Sequence, residues 1–381
     1  MTEMPTISPK EQALVPDSHQ DNSIRKEGEF SPRLTQIMAD LKESGVFPIT
    51  VIQGGGALQV DINFYSGDSV EQTKRPFTVL KVTDIGEDSL DNSMIYKLGP
   101  EKGDKSGSRN EVIFLRDVAP SVHANLDEPT KVSVDLPKVY HSRVDQDQPN
   151  FVIEEEFKGE ITGGIHESRP EILNEDDLQT LTNFIDQFNK NTDDGLLSQS
   201  GLNISEVQAY DRYKEKSEHW SGTLFSSFGF DYVQKLKELL ESAKTKFEAQ
   251  PMRINNGDIN TSNIIKQENG KLGLYDWEKI LKINDPSADY AFLFANLWNQ
   301  PELQEKFLTM AIENNKQDEN FKELFRVGFA CYRGLGELDY WINRKKNAET
   351  SEEEINADNA VSRLSGLVKD AIDGVGIWAK S

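Results

Sequence analysis

Two short runs of side chains hold the groups that could do chemistry. The first is Asn256-Gly257-Asp258-Ile259-Asn260-Thr261-Ser262-Asn263, and the second is Leu274-Tyr275-Asp276-Trp277-Glu278. Ile264-Ile265, Asn269-Gly270 and Leu272-Gly273-Leu274 lie between them. Asn-Gly between apolar runs predicts a β-hairpin, because both central residues of a type I′ turn need positive φ. With Asn269 and Gly270 at the turn, Asn263 and Asp276 would face each other across the two strands, ~5 Å apart at Cα. Asp258 sits on the loop that feeds the first strand. An amide oxygen from Asn263 and a carboxylate from Asp276 suit Mg²⁺, which takes a few hard oxygen ligands and fills its remaining positions with water and phosphate oxygens. Phosphoryl transfer asks for such a metal and for an aspartate, here Asp258, that orients the acceptor hydroxyl and takes its proton. Turns favour Asp and Asn for their own reasons, but three linked motifs at compatible spacing exceed what a solvated hairpin requires.

The D-x-x-x-x-N spacing from Asp258 to Asn263, followed by Asp276, matches the catalytic and metal loops of protein-kinase-like folds. Asn-Gly-Asp-x-Asn-x-x-Asn, then Tyr-Asp-Trp-Glu, then Asp285-Pro286-x-x-Asp289 resembles the aminoglycoside phosphotransferase and choline kinase superfamily. The common form there is His-Gly-Asp-x-His-x-x-Asn followed by Ile-Asp-Trp-Glu. Asn256 and Asn260 stand where histidines are usual; the first of those histidines braces the loop, so its replacement touches the support of the loop rather than the base or the metal ligands. The resemblance runs from roughly Val51 to Trp298, strongest around Asp258 and Asp276. It implies an α+β, two-lobed protein-kinase-like fold: a small antiparallel-sheet N-lobe over 30–156 and a larger, mostly helical C-lobe over 157–381, preceded by residues 1–29, whose polar, aperiodic composition reads as a disordered tail. It also implies ATP and Mg²⁺ as cofactors.

The N-lobe elements are read around that site. A helix is expected over Phe30–Ser44, then strand, glycine turn and strand through Phe47–Gln53, Gly54-Gly55-Gly56 and Leu58–Tyr65. Backbone N–H groups of Gly54, Gly55 and Gly56 could cradle phosphates, as only a turn without side chains lets them approach; an ordinary hairpin is the other reading. Phe77–Val82 reads as a strand with one lysine, Lys81, in an apolar run, where an anionic partner would offset the cost of burial. The resemblance gives that lysine the α- and β-phosphates and a helix glutamate; otherwise Lys81 guards a sheet edge. Asp84–Ser108 reads as an irregular insert and Arg109–Val118 as a helix. Glu111 is then either the partner of Lys81 or the far end of a Ser108–Glu111 capping box. Phe151–Phe157 reads as the last strand of the sheet, and the resemblance makes Glu155–Phe157 the hinge whose backbone binds adenine.

The C-lobe elements follow from helical periodicity. Leu178, Leu181, Ile185 and Phe188 mark one helix, and Phe230 through Phe247 mark a longer one leading into the Asp258 loop. Further apolar-periodic stretches occupy Tyr290–Trp298, Glu323–Trp341 and Ala357–Trp378. Only about ten residues separate Asp276 from Asp285-Pro286, and no Ala-Pro-Glu follows, which leaves no peptide-docking segment. The acceptor is therefore expected to be the hydroxyl of a small molecule. Asp193, Asp194, Glu218 and Trp220 in the Asn191–Gly229 stretch would suit a cationic acceptor, an amine-bearing alcohol or amino-sugar, although solvated surface explains such clusters equally.

Composition narrows the class. The 381 residues carry a net charge of −23, 36% hydrophobic content, a single cysteine (Cys331) and five dispersed histidines. These exclude a disulfide framework and a Cys-rich metal site. The acidity argues against non-specific nucleic-acid binding, which needs Lys and Arg to replace counterions. No apolar run approaches the ~20 residues of a membrane span, and no secretory pattern opens the sequence, so a cytoplasmic location is expected. The main rival reading is a catalytically silent kinase-like protein that binds nucleotide or a partner; an atypical protein kinase is the other.

Overall fold

The computed structural model describes Asp40, residues 63–64, 78–83 and 93–99, and, with gaps at 146–149, 165, 193 and 203, residues 106–380. The expected tail over 1–29, the strand Phe47–Gln53, the run Gly54-Gly55-Gly56 and all of Leu58–Tyr65 but 63–64 lie outside the described residues. Twelve strands are described: β1 (Asn63–Phe64), β2 (Thr78–Thr83), β3 (Ser93–Leu98), β4 (Val134–Asp135), β5 (Val139–Arg143), β6 (Phe151–Glu155), β7 (Gly159–Ile161), β8 (Ser205–Val207), β9 (Arg253–Asn255), β10 (Ile264–Gln267), β11 (Leu272–Leu274) and β12 (Leu281–Ile283). The first sheet runs in the order β1-β2-β3-β6-β5, with every pairing antiparallel. Two small sheets, β4-β11-β10-β7 and β8-β12-β9, take all their strands but β4 from the part of the chain after β6, whose other elements are helical. This is the expected two-lobed α+β architecture.

Among the described residues, segments read as strand or helix from their periodicity sit where the pattern puts them. The helix Glu175–Asn191 starts in a capping box, Asn174 accepting from the Asp177 N–H while the Asp177 side chain accepts from the Asn174 N–H. It buries Leu178, Leu181, Ile185 and Phe188. The helix Phe230–Glu248 delivers the chain to β9 and the Asp258 loop. Of the expected Phe30–Ser44 helix, Asp40 is described: it is helical, fully buried, and accepts from the Tyr96 hydroxyl at 2.8 Å and from Arg143 at 2.7 Å.

Two expectations are corrected. Asp84–Ser108 is not a wholly irregular insert; it contains β3, a central strand paired along its length with β2 and β6. Neither does the hairpin turn on Asn269-Gly270 alone. Gln267 donates its N–H to Lys271 O at 2.8 Å, Gly270 donates to Gln267 O at 2.9 Å, and Gly270 alone within the loop has positive φ, at 85°. That is a three-residue loop with glycine in the left-handed position, the next commonest hairpin after the two-residue one. The register shifts by one: Ile264 pairs with Leu274, and the Tyr275 N–H donates to Asn263 O at 2.9 Å. Tyr275, not Asp276, therefore stands opposite Asn263.

Trp277 ties the two halves together. It is fully buried and stacks on Phe114 with centroids 4.3 Å apart, and Phe188 meets it edge-on at 5.4 Å. Phe114 opens the π-helical turn Phe114–Val118 that continues the helix Ser106–Ile113, so the helix bearing Glu111 is anchored directly to the residue after Asp276.

Candidate active site

The Asp258 loop is held almost entirely by asparagine amides and one buried aspartate. Asn256 Oδ1 accepts the Asp258 N–H at 2.9 Å while its Nδ2 donates to Asp276 O at 3.2 Å, which links the two functional runs. Asn260 Nδ2 donates to Asp258 O at 2.9 Å, and its Oδ1 accepts from the Ser262 N–H at 2.9 Å. Asp289, fully buried, accepts the N–H groups of Asn256 and Gly257 at 2.9 and 2.8 Å. Burial pushes its carboxyl up to about 6, against those two N–H bonds, which pull it down. Gly257 has φ 79°, and a Cβ there would lie 2.4 Å from Leu281 Cδ2 and 2.5 Å from Lys279 O, so only glycine fits. Arg333 closes the loop from outside, donating to Gly257 O at 2.9 Å. The two asparagines thus brace a loop where the related motif carries histidines. Asn256→Ala would leave a buried Asp258 N–H without an acceptor, a loss of about 1–3 kcal/mol, read as a lower urea midpoint at unchanged slope.

Asp258 points into this frame with its side chain 9% exposed. Its Oδ2 accepts from Lys279 Nζ at 2.8 Å and from Asn263 Nδ2 at 3.3 Å. Burial raises its pKa, Lys279 opposes that, and Asp276 adds to it. Asn263 Nδ2 also donates to Asp258 O at 3.0 Å, leaving Asn263 Oδ1 with one long contact, from the Ser262 hydroxyl at 3.3 Å. Asp276 is the only non-glycine residue with positive φ among the described residues, at 61°. A strained backbone of that kind costs on the order of 1–3 kcal/mol and is kept where the surroundings demand it. The left-handed step carries Asp276 out of the hairpin register, and its carboxylate makes no hydrogen bond or ion pair among the described residues. Its charge is felt by Lys97, Glu111, Asp258 and Lys279 alike. Asn263, Asp276 and Asp258 are thus brought together, but through a turn rather than by facing each other across strands.

The lysine is not the expected one. Glu111 pairs with Lys97 of β3, Nζ to Oε1 at 2.7 Å, and Lys97 also lies 2.9 Å from Glu154 Oε1 on the neighbouring strand β6. All three side chains are at least nine-tenths buried. Lys81 lies on β2 with its backbone opposite Ile95. The Ser108–Glu111 capping box does not form: the helix begins at Ser106, and Ser108 Oγ accepts from Asn150 Nδ2 at 3.3 Å. Burial alone would lower the Lys97 pKa, but the Glu111 and Glu154 carboxylates hold it well above its ordinary value. Burial conversely raises both carboxyls. The segment Glu155–Phe157 begins at the last residue of β6, and the Phe157 N–H, outside any strand, donates to the Tyr275 hydroxyl at 2.5 Å.

Sequence reasoning missed Lys97, Glu154 and Lys279. Met94-Ile95-Tyr96-Lys97-Leu98 shows the same lone lysine in an apolar run that singled out Lys81, and it stands much closer to Glu111 in the chain. Lys279 had no signal beyond following Glu278. Among the described residues no group of three or more His, Cys, Asp or Glu could hold a metal by itself; Asn263 and Asp276 fit an ion that brings phosphate oxygens of its own.

No protein-family model matches the sequence, and no curated protein matches it. Solved structures do match by fold. The GDP and kanamycin complex of APH(2")-IIIa superposes with a TM-score of 0.52 at 13% identity, over 90% of this chain and 99% of that one. The GDP complex of wild-type aminoglycoside 2'-phosphotransferase-IIIa gives 0.54 at 12% identity, over 90% and 99%. A putative aminoglycoside phosphotransferase from Ralstonia eutropha gives 0.50 at 13%, over 83% and 94%. Across nearly the whole length of those proteins, the chain has the two-lobed fold of the aminoglycoside phosphotransferases.

Proposed function

We propose that the protein is an ATP-dependent phosphotransferase acting on a hydroxyl of a small molecule. The observation that carries this reading is the convergence of a braced aspartate (Asp258), a carboxylate without a partner among the described residues (Asp276) beside an amide oxygen (Asn263), and a buried Lys97–Glu111 pair within mutual electrostatic reach. Asp258 orients the acceptor hydroxyl and takes its proton. Lys97, fixed by Glu111 and Glu154, holds phosphate oxygens. Asn263 and Asp276 would hold Mg²⁺, whose contribution is to offset the charge of the transferring phosphate. Lys279 keeps Asp258 ionised and adds positive charge where the phosphoryl group passes. Backbone groups of Glu155–Phe157 take the base, with the lobes divided at 156/157. Against the silent reading, the two side-chain hydrogen bonds of Asn256 supply a brace where the related motif has a histidine.

Of the charged groups around Asp258, Lys279 and Arg333 are basic and Asp276 is the assigned metal ligand, while Glu218 is exposed and Asp193 lies outside the described residues. An amine-bearing acceptor would therefore place its cation beyond them, toward the acidic surface. The chain's acidity disfavours nucleic acid as a partner, and no helix among the described residues is long and apolar enough to cross a membrane; we place the reaction in the cytoplasm.

The test is a melting curve with Mg-ATP, followed by turnover on amine-bearing alcohols, amino-sugars and neutral sugars. A ligand at a hundredfold excess over Kd stabilises the folded state by about 2.7 kcal/mol. Mg-ATP should raise the melting temperature of the wild type, and Asp276→Asn should abolish most of the rise. An equal rise in the variant would place the metal elsewhere.

A further inference from the structure

Tyr275 is left over from the chemistry above, yet it stands in the middle of it. Its hydroxyl accepts the Phe157 N–H at 2.5 Å, its ring lies 4.8 Å from the Phe157 ring, and Lys97 Nζ sits over the Tyr275 ring 5.9 Å from its centroid. The side chain therefore bridges the phosphate lysine and the backbone that follows β6. We propose that Tyr275 is an internal stopper, which fills the nucleobase position of the free protein and has to be displaced by nucleotide. This rests on the nucleotide-binding reading given above.

The surroundings show why the ring sits there. β6 ends at Glu155 and β7 begins at Gly159, so the Phe157 N–H has no ladder partner. A buried donor of this kind needs an acceptor, and the phenol oxygen supplies it. Phe157 is itself seated on the hairpin: a Cβ on Gly273 would lie 2.1 Å from its Cδ2. A planar base with a ring nitrogen acceptor offers Phe157 the same two things, a flat face and an acceptor for its N–H, so base and tyrosine compete for one place. The backbone of Tyr275 cannot carry the ring away. Its N–H is bonded to Asn263 O, and the next residue is the left-handed Asp276. Opening is therefore a rotation of the side chain alone, which leaves the metal ligands where they are. Only molecules with the ring rotated out bind nucleotide, and the observed Kd is the intrinsic one divided by that fraction.

The experiment is a calorimetric titration of the full chain with a non-hydrolysable ATP analogue in Mg²⁺, repeated with the GTP analogue, on wild type, Tyr275→Phe and Tyr275→Leu. Tyr275→Phe removes only the acceptor for the Phe157 N–H and should bind several-fold more tightly. Tyr275→Leu removes the ring as well and should gain about tenfold, the size of one or two released contacts. Without nucleotide, the Phe157 amide should exchange its hydrogen slowly in wild type and about tenfold faster in Tyr275→Phe, a readout independent of the nucleotide reading. Affinities equal to or weaker than wild type in both variants would overturn the stopper and leave the nucleotide site standing. Unchanged exchange at Phe157 would overturn it as well. No binding by any of the three proteins would overturn both readings, and binding by Tyr275→Leu alone would support both.

Discussion

Asp258→Asn is expected to lower turnover by about a hundred- to ten-thousandfold, the usual worth of a positioned base, while ATP affinity stays within twofold of wild type. The substitution keeps the shape of the side chain, and the loop is held by groups it does not touch: the Asp258 N–H on Asn256, and Asp258 O on Asn260 and Asn263. The carboxamide oxygen can still accept from Lys279, so only the ability to take a proton is lost. The pH dependence follows from burial, which raises the Asp258 pKa above its ordinary value of 3.8 against the pull of Lys279. A base must be ionised, so activity is lost as pH falls through that raised value, on the acid limb of the rate profile. The sign for stability is opposite. A buried carboxyl with a raised folded pKa favours the folded state below its unfolded pKa and gives that up as pH rises. The neutral Asn should therefore melt no lower than wild type at pH 7. Turnover assayed with a saturating acceptor, beside a melting curve, checks both statements. A variant that turns over normally, or that has lost ATP binding while folded, would remove Asp258 from the role of base.

Legibility in the sequence divides along a physical line. The Asp258, Asn263 and Asp276 cluster was readable because its spacing is set by short-range chemistry: a tight loop, a hairpin and a turn, all within a few residues of each other. Even there the register was off by one, since Asn-Gly is compatible with both the two-residue and the three-residue loop and only the pairing partners decide. The left-handed Asp276 compensates for that shift and is invisible in sequence, because nothing about aspartate demands positive φ. The lysine was misplaced for a different reason. Lys81 and Lys97 both stand alone in apolar runs, and what selects between them is which strand lies beside the Glu111 helix and β6. That is a matter of sheet order, not of local pattern. Glu154 carries no local signal of its own in the run Glu154-Glu155-Glu156, yet it is fully buried while Glu155 and Glu156 beside it are half-buried. Helices with long apolar faces, such as Glu175–Asn191 and Phe230–Glu248, were legible because their faces repeat over many turns, whereas Ala209–His219, Ser221–Phe228 and Pro301–Asn314 were not read.

Lys97→Met should cost about 3–5 kcal/mol at neutral pH, the range for removing one partner of a buried ion pair, and should abolish nucleotide binding; the same substitution at Lys81 should do neither. The cost arises because Lys97 is, among the described residues, the ammonium between Glu111 and Glu154, with Asp276 close enough to disfavour any further negative charge. The pH dependence identifies the cause. In the wild type, burial, partly offset by Lys97, moves Glu111 from 4.5 to about 8. Between those values the folded state holds a proton that the unfolded chain releases, so this group's contribution to stability falls as pH rises. In Lys97→Met the cation that lowers both carboxyls is gone, and Glu154 must keep its proton too. Each retained proton steepens the fall by about 1.4 kcal/mol per pH unit. The gap between variant and wild type should therefore be small near pH 5 and widen steadily toward pH 8. Adding Glu154→Gln removes one titrating carboxyl and should flatten the slope by that one proton. Urea midpoints at pH 5, 6, 7 and 8 for wild type, Lys97→Met and the double variant measure all of this. A gap that does not change with pH would mean that lost packing of the lysine stem, not the stranded carboxylates, accounts for the destabilisation, and the buried triad would lose its electrostatic reading.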